Sequence, residues 1–345
     1  MKKNTWVNGL DSLRFFLALV VVLSHMPNPI AITLKASNHY IFKSIGYFIT
    51  PMFNGVGAVI AFFIISGFVI HYPNKNKKID YWKFLIRRWV RLGIPMIVVS
   101  VFTIHYGIFA KIPIWSLYCE LIYYTLYPLL VKTKISWNII FWLAFGIAST
   151  LIVTLCYPDI QSLIYQKNLH FFGSYWQLGT ELTWAIGLPC WLLGVILAEH
   201  IDSYTYKVTA LNIYTWRAVV LLTSMVIQIA RYKYFLSWIV SMNLFAFLLF
   251  FWLRNEIIYY RDHKSVPFFE RLGKFSYSLY LTHELVVMGL MFYIPFNFYT
   301  YLLYILLCVA SSYIIYLFLE KPSHLLAQKI STFKKSADNN SSLSK

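Results

Sequence analysis

Two ionisable residues sit eleven apart in one apolar run, Arg14 and His25. At about 100° per residue, that spacing returns both side chains to nearly the same helix face, roughly 16 Å apart along the axis. An imidazole at one end and a guanidinium at the other are the tools of a general base and of an anion clamp. Pro27 and Pro29 follow His25 and predict a break there, which frees backbone groups that must face protein or water. Glu120 stands in another apolar run, and a carboxylate there must find a partner. A His25–Glu120 pair answers that need: the carboxylate fixes the tautomer and supports the imidazolium when His25 takes a proton. A plain hydrogen bond between helices answers it equally well. Arg87, Arg88 and Arg91 are spaced by three and four, on one helical face, and their forks suit bidentate phosphate contacts. The same arginines also fit a topology signal or anionic lipid. His283, among Ser276, Tyr277, Ser278, Tyr280 and Thr282, fits a helix-packing hydrogen bond or a substrate contact. No histidine pair has a metal-ligand spacing such as H-x-x-x-H, so no metal site is expected. Cys119, Cys156, Cys190 and Cys308 lie far apart in apolar stretches and read as buried thiols.

The elements that must position these groups follow from composition. Of 345 residues, 59% are hydrophobic and 19% aromatic, only 12% are charged, and the mean hydropathy is +0.61. Soluble domains carry about twice that share of charge. The chain reads as an all-α polytopic membrane protein. A spanning helix needs about 20 mostly apolar residues, and such runs lie near 13–33, 50–72, 93–110, 114–131, 136–157, 183–199, 213–230, 235–253, 275–294 and 299–319. With ten spans and the N-terminus inside, 23 basic residues fall in inner loops and tails and 6 in outer ones. Cytoplasmic loops collect Lys and Arg, so both termini are expected in the cytoplasm. The net charge of +17 is thereby a topology signal, and nucleic acid is not expected as a partner. In this frame Arg14 and the arginine cluster lie at the inner side, and His25 and Glu120 in the outer half. Residues 1–330 read as one transmembrane unit and the polar stretch 331–345 as a disordered cytoplasmic tail.

These residues fall into ordered blocks. Gly9-Leu10-Asp11-Ser12-Leu13-Arg14 with Ser24-His25 resembles the opening motif of the membrane-bound acyltransferase-3 family. Phe62-Phe63-Ile64-Ile65-Ser66-Gly67-Phe68 is similar to its FF-x-x-SGF segment, and Arg87-Arg88-x-x-Arg91-Leu92-x-x-Pro95 to its arginine motif. Trp115-Ser116-Leu117-x-x-Glu120-x-x-Tyr123-Tyr124 with Pro128 resembles its WSL-x-x-E block. Gly273 to Leu281 with His283, and Glu320-Lys321-Pro322, are similar to the closing blocks. The chain differs at Ile60-Ala61, where an acid is usual, at Leu121 beside Glu120, and at Thr282, where Trp is common.

The resemblance implies an acyltransferase that moves an acyl group, commonly acetyl from acetyl-CoA, to a hydroxyl of a cell-surface or lipid-linked glycan, in the cell (cytoplasmic) membrane. It implies His25 and Glu120 as catalytic residues. Arg14, Arg87, Arg88 and Arg91 would hold the CoA phosphates, and no metal is implied. Ser66, Ser116, Tyr277 and His283 are candidates for substrate or oxyanion contacts. Two other readings stay open: a transporter that uses His, Glu and Arg as a relay, and acylation of a small amine, lipid or peptide.

Overall fold

A computed structural model describes residues 7–105, 114–169 and 173–330. Among these residues the regular elements are helical. They run α1 (Leu10–Ser24), α2 (Pro29–Lys35), α3 (Tyr40–Ile49), α4 (Gly55–His71), α5 (Tyr81–His105), α6 (Ile114–Thr133), α7 (Trp137–Leu155), α8 (Tyr157–Tyr165), α9 (Gly179–His200), α10 (Ala210–Tyr234), α11 (Trp238–Asp262), α12 (Pro267–Gly273), α13 (Ser276–Met291) and α14 (Tyr301–Ile315). The tail 331–345 lies outside the described residues, as do Lys2, Lys3, Lys111 and His170.

Seven of these helical stretches are long and apolar enough to cross a membrane; α1 and α2, bent by 50°, make an eighth if counted as one broken span. Two expected spans fail that composition test for visible reasons. The helix α5 carries Lys83, Arg87, Arg88 and Arg91 in its first half, and α13 is 16 residues long. The bend after α1 falls where Pro27 and Pro29 predict it. Asn28 caps the new helix by accepting hydrogen bonds from the Ile30 and Ala31 amides, at 3.0 and 3.2 Å.

The interior is built on α4, α9 and α11, whereas α7, α10 and α14 turn most of their surface outward. The helix α4 packs along α9 because two glycines let the backbones touch. A Cβ on Gly67 would come within 2.1 Å of the Trp191 carbonyl oxygen, and one on Gly194 within 1.9 Å of the Ile64 oxygen. Small residues at crossings are how membrane helices gain van der Waals packing, since lipid already solvates apolar side chains. A staple joins α10 to α11: Arg217 donates to both oxygens of the fully buried Glu256, at 2.6 and 2.9 Å, and Trp252 Nε1 donates to the same carboxylate at 2.9 Å. After α14 the helix widens into a π-helical turn over Tyr316–Glu320, and such bulges often mark functional positions. It brings the Glu320 carboxylate to the Ser278 hydroxyl on α13, at 2.7 Å. All four cysteines are free and buried.

Candidate functional site

The site begins at the end of the bundle where α5 starts. Lys78, Asp80, Lys83, Arg87, Arg88 and Arg91 surround a cavity of about 540 Å³, closed from the other side by His324 and Gln328. The expected arginine face is present: Arg87 is exposed at its rim, and Arg88 and Arg91 are partly buried. Trp89, between Arg88 and Arg91, turns away and is half-exposed.

Arg88 and Arg91 also line a second cavity, of about 100 Å³, deeper in the bundle. Seven of the sequence candidates meet around it: Arg14, Ser66, Arg88, Arg91, Ser116, Glu120 and Tyr277. Arg14 Nη1 lies 3.5 Å from Asp11 Oδ1, and Arg91 Nη2 lies 3.9 Å from Glu320 Oε1. Arg88 stacks over the rings of Phe84 and Tyr124, 5.6 and 5.8 Å from their centroids. Two buried polar atoms in this wall have no hydrogen-bond partner, Arg91 Nε and the Ser276 hydroxyl. Buried donors are nearly always satisfied, so this wall offers two free polar contacts to whatever enters the cavity.

Glu120 does not pair with His25. Its carboxylate accepts from the Ser66 hydroxyl at 2.6 Å and from the Tyr124 hydroxyl one turn along α6. Ser66 in turn accepts from Trp191 Nε1 at 3.2 Å. Hydroxyls from its own helix and from α4 thus meet its need, so of the two expected solutions the hydrogen bond between helices is present and the imidazole pair is not. Ser66 is anchored to the carboxylate. The Tyr277 hydroxyl donates to the Leu92 carbonyl at 2.8 Å, which ties α13 to α5.

A third cavity, of about 120 Å³, opens at the opposite end around His25, with Val21, Gly55, Val59, Trp115, Tyr175 and Tyr280 in its wall. Val59 and Tyr280 are common to this cavity and the middle one. The boundary is a hydroxyl pair: Ser116 Oγ and Tyr280 Oη lie 2.5 Å apart. Tyr280 carries this neck, a role that a Tyr among other α13 hydroxyls gave no sequence signal for.

His25 is the C-cap of α1, and its Nδ1 lies 2.8 Å from the Val21 carbonyl oxygen. A carbonyl only accepts, so the proton is on Nδ1 and Nε2 carries the lone pair. That nitrogen faces α13, where Glu284 Oε1 lies 3.6 Å away. The His283 ring is 4.9 Å from the His25 ring, centroid to centroid. Glu284, beside His25, is a candidate that the sequence motifs do not single out. Its signal was available, since an acid within an apolar run costs as much there as Glu120 does.

The family profile described as an acyltransferase domain matches residues 7–317, almost all of the described chain. The chain belongs to the membrane-bound acyltransferase-3 family. It is a multi-pass membrane acyltransferase. Comparison with characterised proteins and with solved structures gives no significant match.

Proposed function

We propose that this acyltransferase takes acetyl from acetyl-CoA at its basic end and delivers it at its His25 end to a hydroxyl of a cell-surface or lipid-linked glycan. The basic end is then cytoplasmic, as the charge bias predicts, and the membrane is the cell membrane. The observation that carries the reading is the row of three cavities with shared walls. Arg88 and Arg91 join the basic basin to the middle cavity, and Val59 and Tyr280 join the middle cavity to that of His25.

Phosphates of the donor sit among Lys83, Arg87, Arg88 and Arg91, with Arg14 at the inner mouth of the middle cavity. The pantetheine arm, with its amides and hydroxyl, lies in the middle cavity, where Arg91 Nε, Ser276 and the Glu120–Ser66–Tyr124 group offer donors and acceptors. The thioester reaches the neck when Ser116 and Tyr280 part, and these hydroxyls face its carbonyl. The acceptor hydroxyl donates its proton to His25 Nε2 as its oxygen attacks the thioester carbon. The C–S bond then breaks, and the imidazolium returns that proton to the departing CoA sulfur. The Val21 carbonyl holds His25 in place, and Glu284 stabilises the imidazolium once it forms. Glu120 is thus assigned to the donor arm.

The test is transfer of labelled acetyl from acetyl-CoA to host membranes or isolated glycan, wild type against His25→Ala, with CoA binding measured in parallel. Label transferred by wild type alone is expected. A folded protein that neither binds CoA nor transfers label refutes the reading and favours a transport role for the buried charges.

A further inference from the structure

Three side chains converge at the His25 end although no spacing in the sequence announces it. One ring nitrogen of each of His25 and His283 and a carboxylate oxygen of Glu284 all lie within 4.8 Å of one another, and His25 Nε2 is 3.6 Å from Glu284 Oε1. Both imidazoles are held by the same device. His25 Nδ1 lies 2.8 Å from the Val21 carbonyl and His283 Nδ1 lies 2.7 Å from the Tyr280 carbonyl. Each carbonyl fixes the proton on Nδ1 and leaves Nε2 with its lone pair free to bind a cation. Metal-binding histidines are oriented in this way by a partner on the other nitrogen. His283 is fully buried, and its Nε2 has no hydrogen-bond partner. An inward-facing lone pair without a donor is costly in a protein interior and calls for an electron-pair acceptor.

We propose that His25, His283 and Glu284 form a site for a divalent transition cation, and that its occupation silences His25. Two imidazoles and one carboxylate select a borderline ion such as Zn²⁺ or Co²⁺ over Mg²⁺ or Ca²⁺, which prefer all-oxygen sets. Ligands at about 2.1 Å in a tetrahedron are roughly 3.4 Å apart. The His25–Glu284 edge is already close to that length, and the two edges to His283, each within 4.8 Å, close by at most about 1.4 Å. The carboxylate supplies charge complementarity, and a fourth position is left for water. The half-exposed His25 gives the ion a way in from the adjacent cavity. A cation on Nε2 occupies the lone pair that must take the acceptor's proton, so the site is inhibitory. This consequence rests on the reading of His25 as the base; the binding itself does not.

The probes are Co²⁺ and Zn²⁺ on the purified full chain in detergent. The expected results are one equivalent of Co²⁺ with tetrahedral d–d absorption, displaced by Zn²⁺, and Zn²⁺ protection of His25 from diethyl pyrocarbonate by at least tenfold. The variants His283→Gln and Glu284→Gln should each weaken binding at least tenfold. CoA binding at the far end serves as the check that they are folded. No saturable Co²⁺ or Zn²⁺ binding by wild type, or binding untouched by both substitutions, overturns the site. Binding that protects His25 from the reagent yet leaves acetyl transfer at full rate overturns the silencing, and with it the reading of His25 as the base.

Discussion

The substitution Glu284→Gln separates the two carboxylates that compete for the role of partner to His25. The side chain keeps its size and loses its charge, so packing on α13 is preserved. At 3.6 Å, a full ion pair between imidazolium and carboxylate is worth about 4–5 kcal/mol at an effective dielectric of 20. His25 is 35% and Glu284 16% exposed at the side chain, and solvent screening leaves about half of that or less. About 1.4–2.3 kcal/mol of support for the imidazolium remains, which is roughly a tenfold to fiftyfold fall in kcat. KM for acetyl-CoA should stay within about twofold, because the donor binds at the other end and uniform binding is untouched. The companion Glu120→Gln should do the reverse and raise KM for acetyl-CoA with a smaller effect on kcat. Steady-state release of CoA thiol, with acceptor saturating and acetyl-CoA varied, reads both constants. A Glu284→Gln enzyme with wild-type kcat, beside a Glu120→Gln enzyme that loses tenfold or more in kcat at constant KM, would refute the assignment and restore the pairing that the sequence suggested.

Arg88→Met removes the guanidinium common to two cavities, and a charged phosphate contact is worth about 1.5–3 kcal/mol. Calorimetric titration with CoA should show affinity reduced about tenfold to hundredfold, and raised salt should weaken wild-type binding as well. Gly194→Val puts a Cβ within 1.9 Å of the Ile64 oxygen and should cost at least about 1–3 kcal/mol by overpacking, read as loss of the monodisperse peak on heated size-exclusion chromatography. Gly146→Val, where nothing lies within 4 Å, is the matched control and should behave as wild type. Tyr280→Trp should block the neck, leaving CoA binding intact and abolishing transfer, whereas Tyr280→Phe should keep the passage and retain measurable transfer.

Much of the architecture was legible because it follows from solvent physics. Runs of about 20 apolar residues can only be helices in hydrocarbon, and Pro27 with Pro29 could only break the first of them. The arginine face was legible because a helix repeats every three to four residues. What stayed hidden was which groups face each other across helices. Span arithmetic puts Glu120 and His25 at similar depth, yet Glu120 lines the middle cavity and His25 the outer one, and a carboxylate takes whichever donors share its side of the bundle. Here Tyr124 supplies one from four residues along the same helix and Ser66 the other. The His25–His283–Glu284 cluster joins residues more than 250 positions apart, and no spacing rule reaches that far.

The blocks that mark this family act together as a ruler across the bundle. One turn of helix is about 5.4 Å, and consecutive turns of the same helices serve consecutive cavities. On α6, Trp115 lines the outer cavity, Ser116 the neck, and Glu120 and Tyr124 the middle cavity. On α13 the order runs the other way: Ser276 and Tyr277 line the middle cavity, Tyr280 the neck, and His283 and Glu284 stand beside His25. The two helices run antiparallel, so their i, i+4 residues fall at matching depths and close the neck between Ser116 and Tyr280. A polar donor and a polar acceptor that enter from opposite sides must meet without a continuous water channel between them. Tyr280, whose ring is a wall of both chambers while its hydroxyl bonds to Ser116, is placed to hold that barrier and to yield only when a ligand takes over its hydrogen bond.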